Sequence, residues 1–194
     1  MVRALLDGTK TQTRRACKPM NAWVDQECRE VRMVDGAPYH FLKGATDPVE
    51  KLRWPYGQPG DRLWVRETWA QPAALDPGPT VYRADYPDCV PRGYTNIPPA
   101  DEITWKPSIH MFRKHSRILL EVVSVRVERL NDCSEADAVA EGVTIEDKHK
   151  GGYCAGEVMP PALRAYRDLW ESINGAGSWD ANPWVWVVDF RRAD

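Results

Sequence analysis

Two short segments bring charged side chains beside an indole. In Arg66-Glu67-Thr68-Trp69 a guanidinium and a carboxylate are neighbours just ahead of a tryptophan. Such a pair can be a surface ion pair of negligible energetic weight. It can equally belong to a base-reading site, with Trp69 stacked on a nucleobase and Arg66 or Glu67 on its edge. A stacked base contributes roughly 1–3 kcal/mol, and a carboxylate accepts the amino hydrogen that a cytosine-type edge presents. Trp105-Lys106 offers a second indole platform, with an ammonium for a phosphate. A third segment, Thr9-Lys10-Thr11-Gln12-Thr13-Arg14-Arg15, concentrates hydroxyl, amine, amide and guanidinium groups. On its residues alone it reads first as a solvated polar strand. His110, His115, Cys133 and Cys154 are ligand types, but their separations match no zinc pattern, so no metal is expected.

The elements that must hold these groups are punctuated in the sequence. Residues 3–6 read as the end of a helix that Gly8 stops. Residues 29–34 and 39–42 read as a hairpin around Asp35-Gly36. The stretch 44–60 is turn-rich, and Gln58-Pro59-Gly60-Asp61 leads into a strand over 63–69. Prolines crowd 71–107, a surface excursion of the kind that lids or lines a site, interrupted by one strand at 81–86. The clearest strand is 117–130, where Val123, Val125 and Val127 alternate with Ser124, Arg126 and Glu128. Ser134 and Asp137 form a capping box for a helix to about Glu141, which Gly142 ends. Residues 147–156, charged and glycine-rich, read as a mobile loop. Pro160-Pro161 opens a helix to Asn174, with Leu163, Tyr166, Leu169, Trp170 and Ile173 along one face. Residues 183–190 supply a closing strand. These elements predict an α+β domain with a small mixed or barrel-like sheet.

Composition narrows the class. Leu, Ile, Val and Phe make up only 38 of 194 residues, a lean aliphatic core. Nine Trp and seven Tyr supply the missing apolar area, and each buried indole brings an N–H that needs a partner. With 26 basic and 28 acidic residues the net charge is −2, which argues for a folded rather than a disordered chain. No apolar run approaches a membrane span of about 18 residues, and the first residues are too short for a secretory signal. Five cysteines without a Cys-x-x-Cys pair predict a reduced, cytoplasmic protein. Charge is uneven: residues 1–20 and 103–130 each carry +4, and 131–157 carry −5. Adjoining in space, the two basic segments would make a track for phosphates; the plain alternative is three solvated faces.

Four motifs taken together carry a resemblance. Gly8-Thr-Lys-Thr-Gln-Thr-Arg-Arg15, Pro59-Gly-Asp-Arg-Leu-Trp-Val-Arg-Glu-Thr-Trp69, Trp105-Lys-Pro-Ser-Ile-His-Met111 and Trp179-Asp-Ala-Asn-Pro-Trp-Val-Trp186 resemble the phage- and prophage-borne branch of ASCH-domain proteins. The resemblance implies a single domain over 1–194, with branch-specific insertions at about 20–55 and 72–100. It implies a small PUA-like β-barrel with flanking helices and a nucleoside, RNA or modified nucleic acid held in a cleft beside it, without a cofactor. Relatives include N4-acetylcytidine amidohydrolases, and one member is described as a ribonuclease. In this branch a strand usually precedes the segment that begins at Met1, and a proline usually stands where Phe112 is found.

The amidohydrolase relatives use Lys-x-x-Thr and a glutamate, and the matching positions are Lys10, Thr13 and Glu141. A threonine hydroxyl becomes nucleophilic when a base takes its proton, and a neutral lysine amine is such a base. Lysine normally titrates near 10.4, so that role at pH 7 requires a depression worth roughly 4 kcal/mol. Arg14, Arg15 and burial act in that direction, whereas an ionised Glu141 opposes it. Glu141 would orient the lysine or carry a proton to the leaving amine. On a straight strand, however, Lys10, Gln12 and Arg14 share one face and Thr13 takes the other, so the triad needs a bend. The expected function is hydrolysis of an N4-acylated cytidine, with Arg14, Arg66, Glu67, Trp69, Trp105 and Lys106 contacting the base or its polymer. The alternatives are a binding module without chemistry and a metal-independent ribonuclease.

Overall fold

The C-terminal strand β9 (Trp184–Arg192) organises the protein. In this computed structural model, residues 1–17, 29–35, 37–52, 55, 57–75, 78–146 and 159–193 are described. The segment read as a loop at 147–156, together with Cys28 and Cys154, lies outside them. β9 runs between β1 (Gln12–Ala16) and β8 (Leu119–Arg129), and β5 (Arg62–Trp64) pairs with β8. All three pairings are antiparallel, in the order β1-β9-β8-β5, and the sheet curls into a half-barrel. Val185, Trp186, Val187 and Val188 are all buried, so both faces of β9 are covered. A strand covered on both faces reads as a continuous apolar run instead of an alternation.

On one face Val185 and Val187 pack with Leu130, Ala138, Tyr166, Trp170 and Trp179. Two helices supply much of that layer, α2 (Glu135–Ala140) and α3 (Pro161–Asn174). The capping box at the start of α2 is formed as expected, Ser134 and Asp137 exchanging side-chain and backbone hydrogen bonds. Ala162, Ala165, Tyr166 and Trp170 are the buried residues of α3. Gly142, at φ 71°, follows α2. A Cβ at this position would lie 2.7 Å from Lys10 Cβ and 2.8 Å from Ala4 Cβ. Glycine therefore lets helix α1 (Val2–Leu6) and Lys10 close onto the end of α2.

On the other face Trp186 packs with Val31 and Leu52, flanked by Val125, Val127 and Trp184. Those residues bring in a second sheet, β2 (Arg29–Val34), β3 (Ala37–Leu42) and β4 (Pro48–Lys51), in that order. β2 and β3 are the hairpin read from the sequence; β4 lies in the stretch read only as turns.

Other strand readings are corrected. The strand expected over 63–69 is split: β5 joins the main sheet, whereas β6 (Trp69–Ala70) pairs with β7 (Val81–Tyr82). Val65 N–H still bonds Ile118 O at 3.0 Å, but beyond it Glu67 turns inward onto Arg117 and the ladder ends. The strand expected over 81–86 stops at Tyr82. In β8 a register shift between Val122 and Ser124 leaves Val123 exposed and interrupts the alternation. The proline-rich segment has an interior of its own, built on Ala70, Leu75, Val81 and Ile103 with Tyr86, Tyr94 and Trp105. Among the described residues no helix is long and apolar enough to cross a membrane.

Trp69, Trp170, Trp179 and Trp186 are buried, which is how the lean aliphatic composition still yields a core. Burial also pushes the Cys17 and Cys133 thiols up to about 12. At pH 8 both are therefore expected to alkylate with iodoacetamide about a hundredfold or more slowly in the native protein than after unfolding. Peptide mapping by mass spectrometry checks this, and equal native and unfolded rates would contradict it.

Candidate functional site

β1 is an edge strand. Phe190 N–H bonds Thr11 O and Cys17 N–H bonds Trp184 O, each at 2.8 Å, so the odd residues of this stretch face β9. By alternation Gln12 C=O and Arg14 N–H point to the open edge. Two side chains close it. Lys10 Nζ donates to Gln12 O at 2.8 Å, to Glu141 O at 2.8 Å and to Glu141 Oε2 at 2.6 Å. Arg14 N–H donates to Glu141 Oε1, which also accepts from Tyr166 Oη at 3.3 Å. The backbone fixes the pair: Lys10 and Glu141 form an isolated antiparallel bridge. Lys10 N–H bonds Ala4 O at 2.9 Å, and Thr11 N–H bonds Ala140 O at 2.8 Å.

This ion pair is interior, with Lys10 6% and Glu141 2% exposed. Three acceptors use all three donors of an ammonium. Burial lowers the Lys10 pKa and the Glu141 contact opposes the shift; Arg15 and Arg14 add to the lowering, and the net result is below the ordinary value. Burial, reinforced by Glu141, pushes the Tyr166 phenol far up, so it remains a proton donor.

A cleft of about 320 Å³ opens over Glu141, lined by Arg14, Arg15, Tyr166, Leu169 and Trp170 among others. Its volume is at the small end of ligand sites, which run from roughly 300 to 1,000 Å³. The Trp170 indole N–H is buried without a hydrogen-bond partner among the described residues. Lys10 does not line the cleft; it stands behind Glu141.

The structure thus brings Lys10 and Glu141 together and leaves Thr13 apart. β1 alternates from Gln12 to Ala16, and the Thr13 hydroxyl accepts from Arg15 Nη1 at 2.8 Å without lining the cleft. Arg14, expected as a ligand contact, borders the cleft with its guanidinium already committed inside the protein. Arg14 is 1% exposed, and its guanidinium donates to Gln12 Oε1 and to Glu128 Oε1, the latter at 2.6 Å, with Asp137 at 3.4 Å. Gln12 Nε2 continues the network to Asp137 at 3.0 Å and Asp189 at 2.7 Å. Arg126 bridges Glu128, Asp137 and Asp189 from the more exposed side. Arg14 consequently ties the sheet to α2.

Trp69, expected as an open stacking platform, is 3% exposed. Its ring is stacked on His115 at 4.7 Å, and Lys106 Nζ lies 4.6 Å from its centroid. Glu67, expected to read a base edge, is buried and takes both of its oxygens to Arg117, at 3.1 and 2.9 Å. Arg117 also chelates Asp85, at 2.6 and 2.7 Å. Arg66 is exposed over the Trp64 ring at 4.8 Å. Trp105 is half-buried, donates to Ala100 O at 2.9 Å and packs edge-on to Tyr86, while Lys106 is exposed. Among the described residues no group of three His, Cys, Asp or Glu side chains is placed to hold a metal.

Sequence reasoning missed Tyr166 and Trp170 as cleft residues, having assigned both to the core face of α3. It also missed the Gln12, Asp137 and Asp189 network, although the polar side of β8 carried a signal in Ser124, Arg126 and Glu128. The chain matches no family model, no curated protein and no solved structure.

Burial pushes the Asp137 carboxyl up, but hydrogen bonds from Ser134 and Gln12 and the Arg14 charge outweigh it and hold it well below the usual range. Arg117 holds Asp85 low against the same opposing effect of burial. Folded values below the unfolded value of about 3.9 give stabilisation that is complete above it and lost as pH falls through the folded values. The guanidinium midpoint is therefore expected to be flat near neutrality and to drop below about pH 4. Asp137→Asn should make that drop shallower; an unchanged acid profile would contradict the assignment.

Proposed function

We propose that the protein is an ASCH-type, PUA-like hydrolase that takes a cytidine-class nucleoside into the cleft over Glu141 and cleaves an acyl amide on its exocyclic nitrogen. The supporting observation is a cleft-lining carboxylate, 2% exposed and fixed by Lys10 at 2.6 Å, in a cleft also lined by Trp170, whose indole N–H lacks a partner among the described residues. In this reading Glu141 takes a proton from water while the water oxygen adds to the acyl carbon. Arg15 and the Tyr166 or Trp170 donors meet the charge that develops on the carbonyl oxygen. Glu141 then passes the proton to the amide nitrogen, the C–N bond breaks, and a carboxylic acid and the free amine leave. Lys10 acts through Glu141 as a positioning residue. Water takes the place of Thr13 as nucleophile, because Thr13 does not line the cleft and its hydroxyl is engaged by Arg15.

A second reading, binding without chemistry, is favoured by one observation: every Lys10 donor and both Glu141 oxygens are already engaged in closing the β1 edge. A single comparison separates the routes. Under the hydrolytic reading N4-acetylcytidine is turned over and Thr13→Val retains that turnover. Loss of turnover in Thr13→Val would restore threonine as the nucleophile. Quenching of tryptophan fluorescence by cytidine without any turnover would leave the binding module.

A further inference from the structure

Ile109 and Phe112 are each 68% exposed, more than any other large apolar side chain among the described residues. They flank Met111, which is 3% exposed and accepts the Glu67 N–H on its sulfur at 3.4 Å. Two 3-10 turns, Ser108–His110 and Arg113–His115, frame the segment. Met111 therefore pins the backbone while its neighbours project outward. Exposed apolar side chains held this way mark contact surfaces more than loose loop tips do.

The segment that carries them has charge of one sign. Residues 103–120 contain Lys106, Arg113, Lys114 and Arg117 and no acidic residue. Arg66 joins from another part of the chain, its Nη1 donating to Ile109 O at 3.3 Å. Arg117 is consumed by Glu67 and Asp85. Arg66, Lys106, Arg113 and Lys114 are exposed, and none makes an ion pair among the described residues. Arg66 and Lys106 instead lie over the Trp64 and Trp69 rings, which orders them without neutralising them.

We propose that this surface binds single-stranded nucleic acid, with Phe112 and Ile109 against unstacked bases and Arg66, Lys106, Arg113 and Lys114 on phosphates. A single strand offers flat apolar faces and negative charges side by side, the complement of an exposed aromatic ring set among unpaired cations. Two projecting apolar side chains are a small area for membrane insertion, which usually engages the whole apolar face of an amphipathic helix. None of these residues lines the cleft over Glu141, and the proposal stands whether or not the cleft is catalytic.

The test is fluorescence anisotropy of a fluorescein-labelled oligodeoxythymidylate of about 15 nucleotides titrated with the full chain across a range of salt concentrations. Binding is expected with a log–log salt slope of about −3, from about −0.7 for each of four contacted phosphates. Phe112→Ala should weaken binding about tenfold and leave the slope unchanged. The double variant Arg113→Glu/Lys114→Glu should reduce the slope to about −1.4 or less. These side chains are exposed, so both variants should melt at the wild-type temperature, and nucleoside quenching in the cleft should persist in Phe112→Ala. No anisotropy change at low salt would overturn the proposal, as would binding that both variants leave intact. Binding to phosphatidylserine vesicles, lost in Phe112→Ala and unaccompanied by oligonucleotide binding, would overturn it in favour of a membrane surface.

Discussion

Replacing Arg14 with alanine is expected to lower stability by about 3–5 kcal/mol, the usual cost of breaking a buried ionic network by removing one member. Arg14 is 1% exposed, and it alone reaches Gln12, Glu128 and Asp137 from inside the sheet–helix layer. Its loss strands the Gln12 side-chain amide oxygen and leaves the inner side of the two carboxylates without a charge partner. Arg126 meets Glu128 and Asp137 too, and adds Asp189, but its side chain is 40% exposed and water can replace it. Arg126→Ala should therefore cost only about 1 kcal/mol or less. Guanidinium unfolding with an unchanged m-value separates the two variants. Equal, small losses in both would mean that the network does not hold α2 to the sheet.

The second large effect is expected from Glu141→Gln. The amide keeps the size of the side chain, and its oxygen can still accept from Arg14 N–H, but it cannot take a proton from water. A fall in kcat/KM for N4-acetylcytidine of about 10²–10⁴ is expected, the usual contribution of a positioned acid–base group. Stability should also fall, by about 1–3 kcal/mol, because the Lys10 ammonium loses its charged acceptor in a buried place. Lys10→Met with Glu141→Gln removes the unpaired ammonium and should recover part of that stability with none of the turnover. If turnover instead returned with stability, Glu141 would be a structural residue, and the water route would fail.

Local signals were legible in the sequence, and long-range ones were not. The Ser134–Asp137 capping box, the Pro161 start of α3 and the hairpin at Asp35 depend on near neighbours, and each is found where its residues place it. β9 was legible because burial on both faces leaves an uninterrupted apolar run. The strand read over 63–69 failed because Glu67 is drawn to Arg117, a partner that only the folded chain supplies. Trp69 was misread for the same reason: the His115 ring that covers it arrives from a distant turn. Within the candidate site, pairing Lys10 with Glu141 came from the family resemblance, since nothing in either segment announces the other. The placement of Thr13 on the opposite face followed from strand alternation alone. Arg14 was read as a ligand contact because its acceptors come from β8 and α2, elements far from it in sequence.

Under the proposed function, the cleft over Glu141 hydrolyses an acyl amide on a cytidine-class nucleoside without a metal. Incubation of the purified chain with N4-acetylcytidine in EDTA, followed by chromatography of the nucleosides, tests it most directly. Cytidine and acetate are expected to accumulate together, and Glu141→Gln is expected to stop both. Recovery of intact N4-acetylcytidine from the wild-type protein would contradict it.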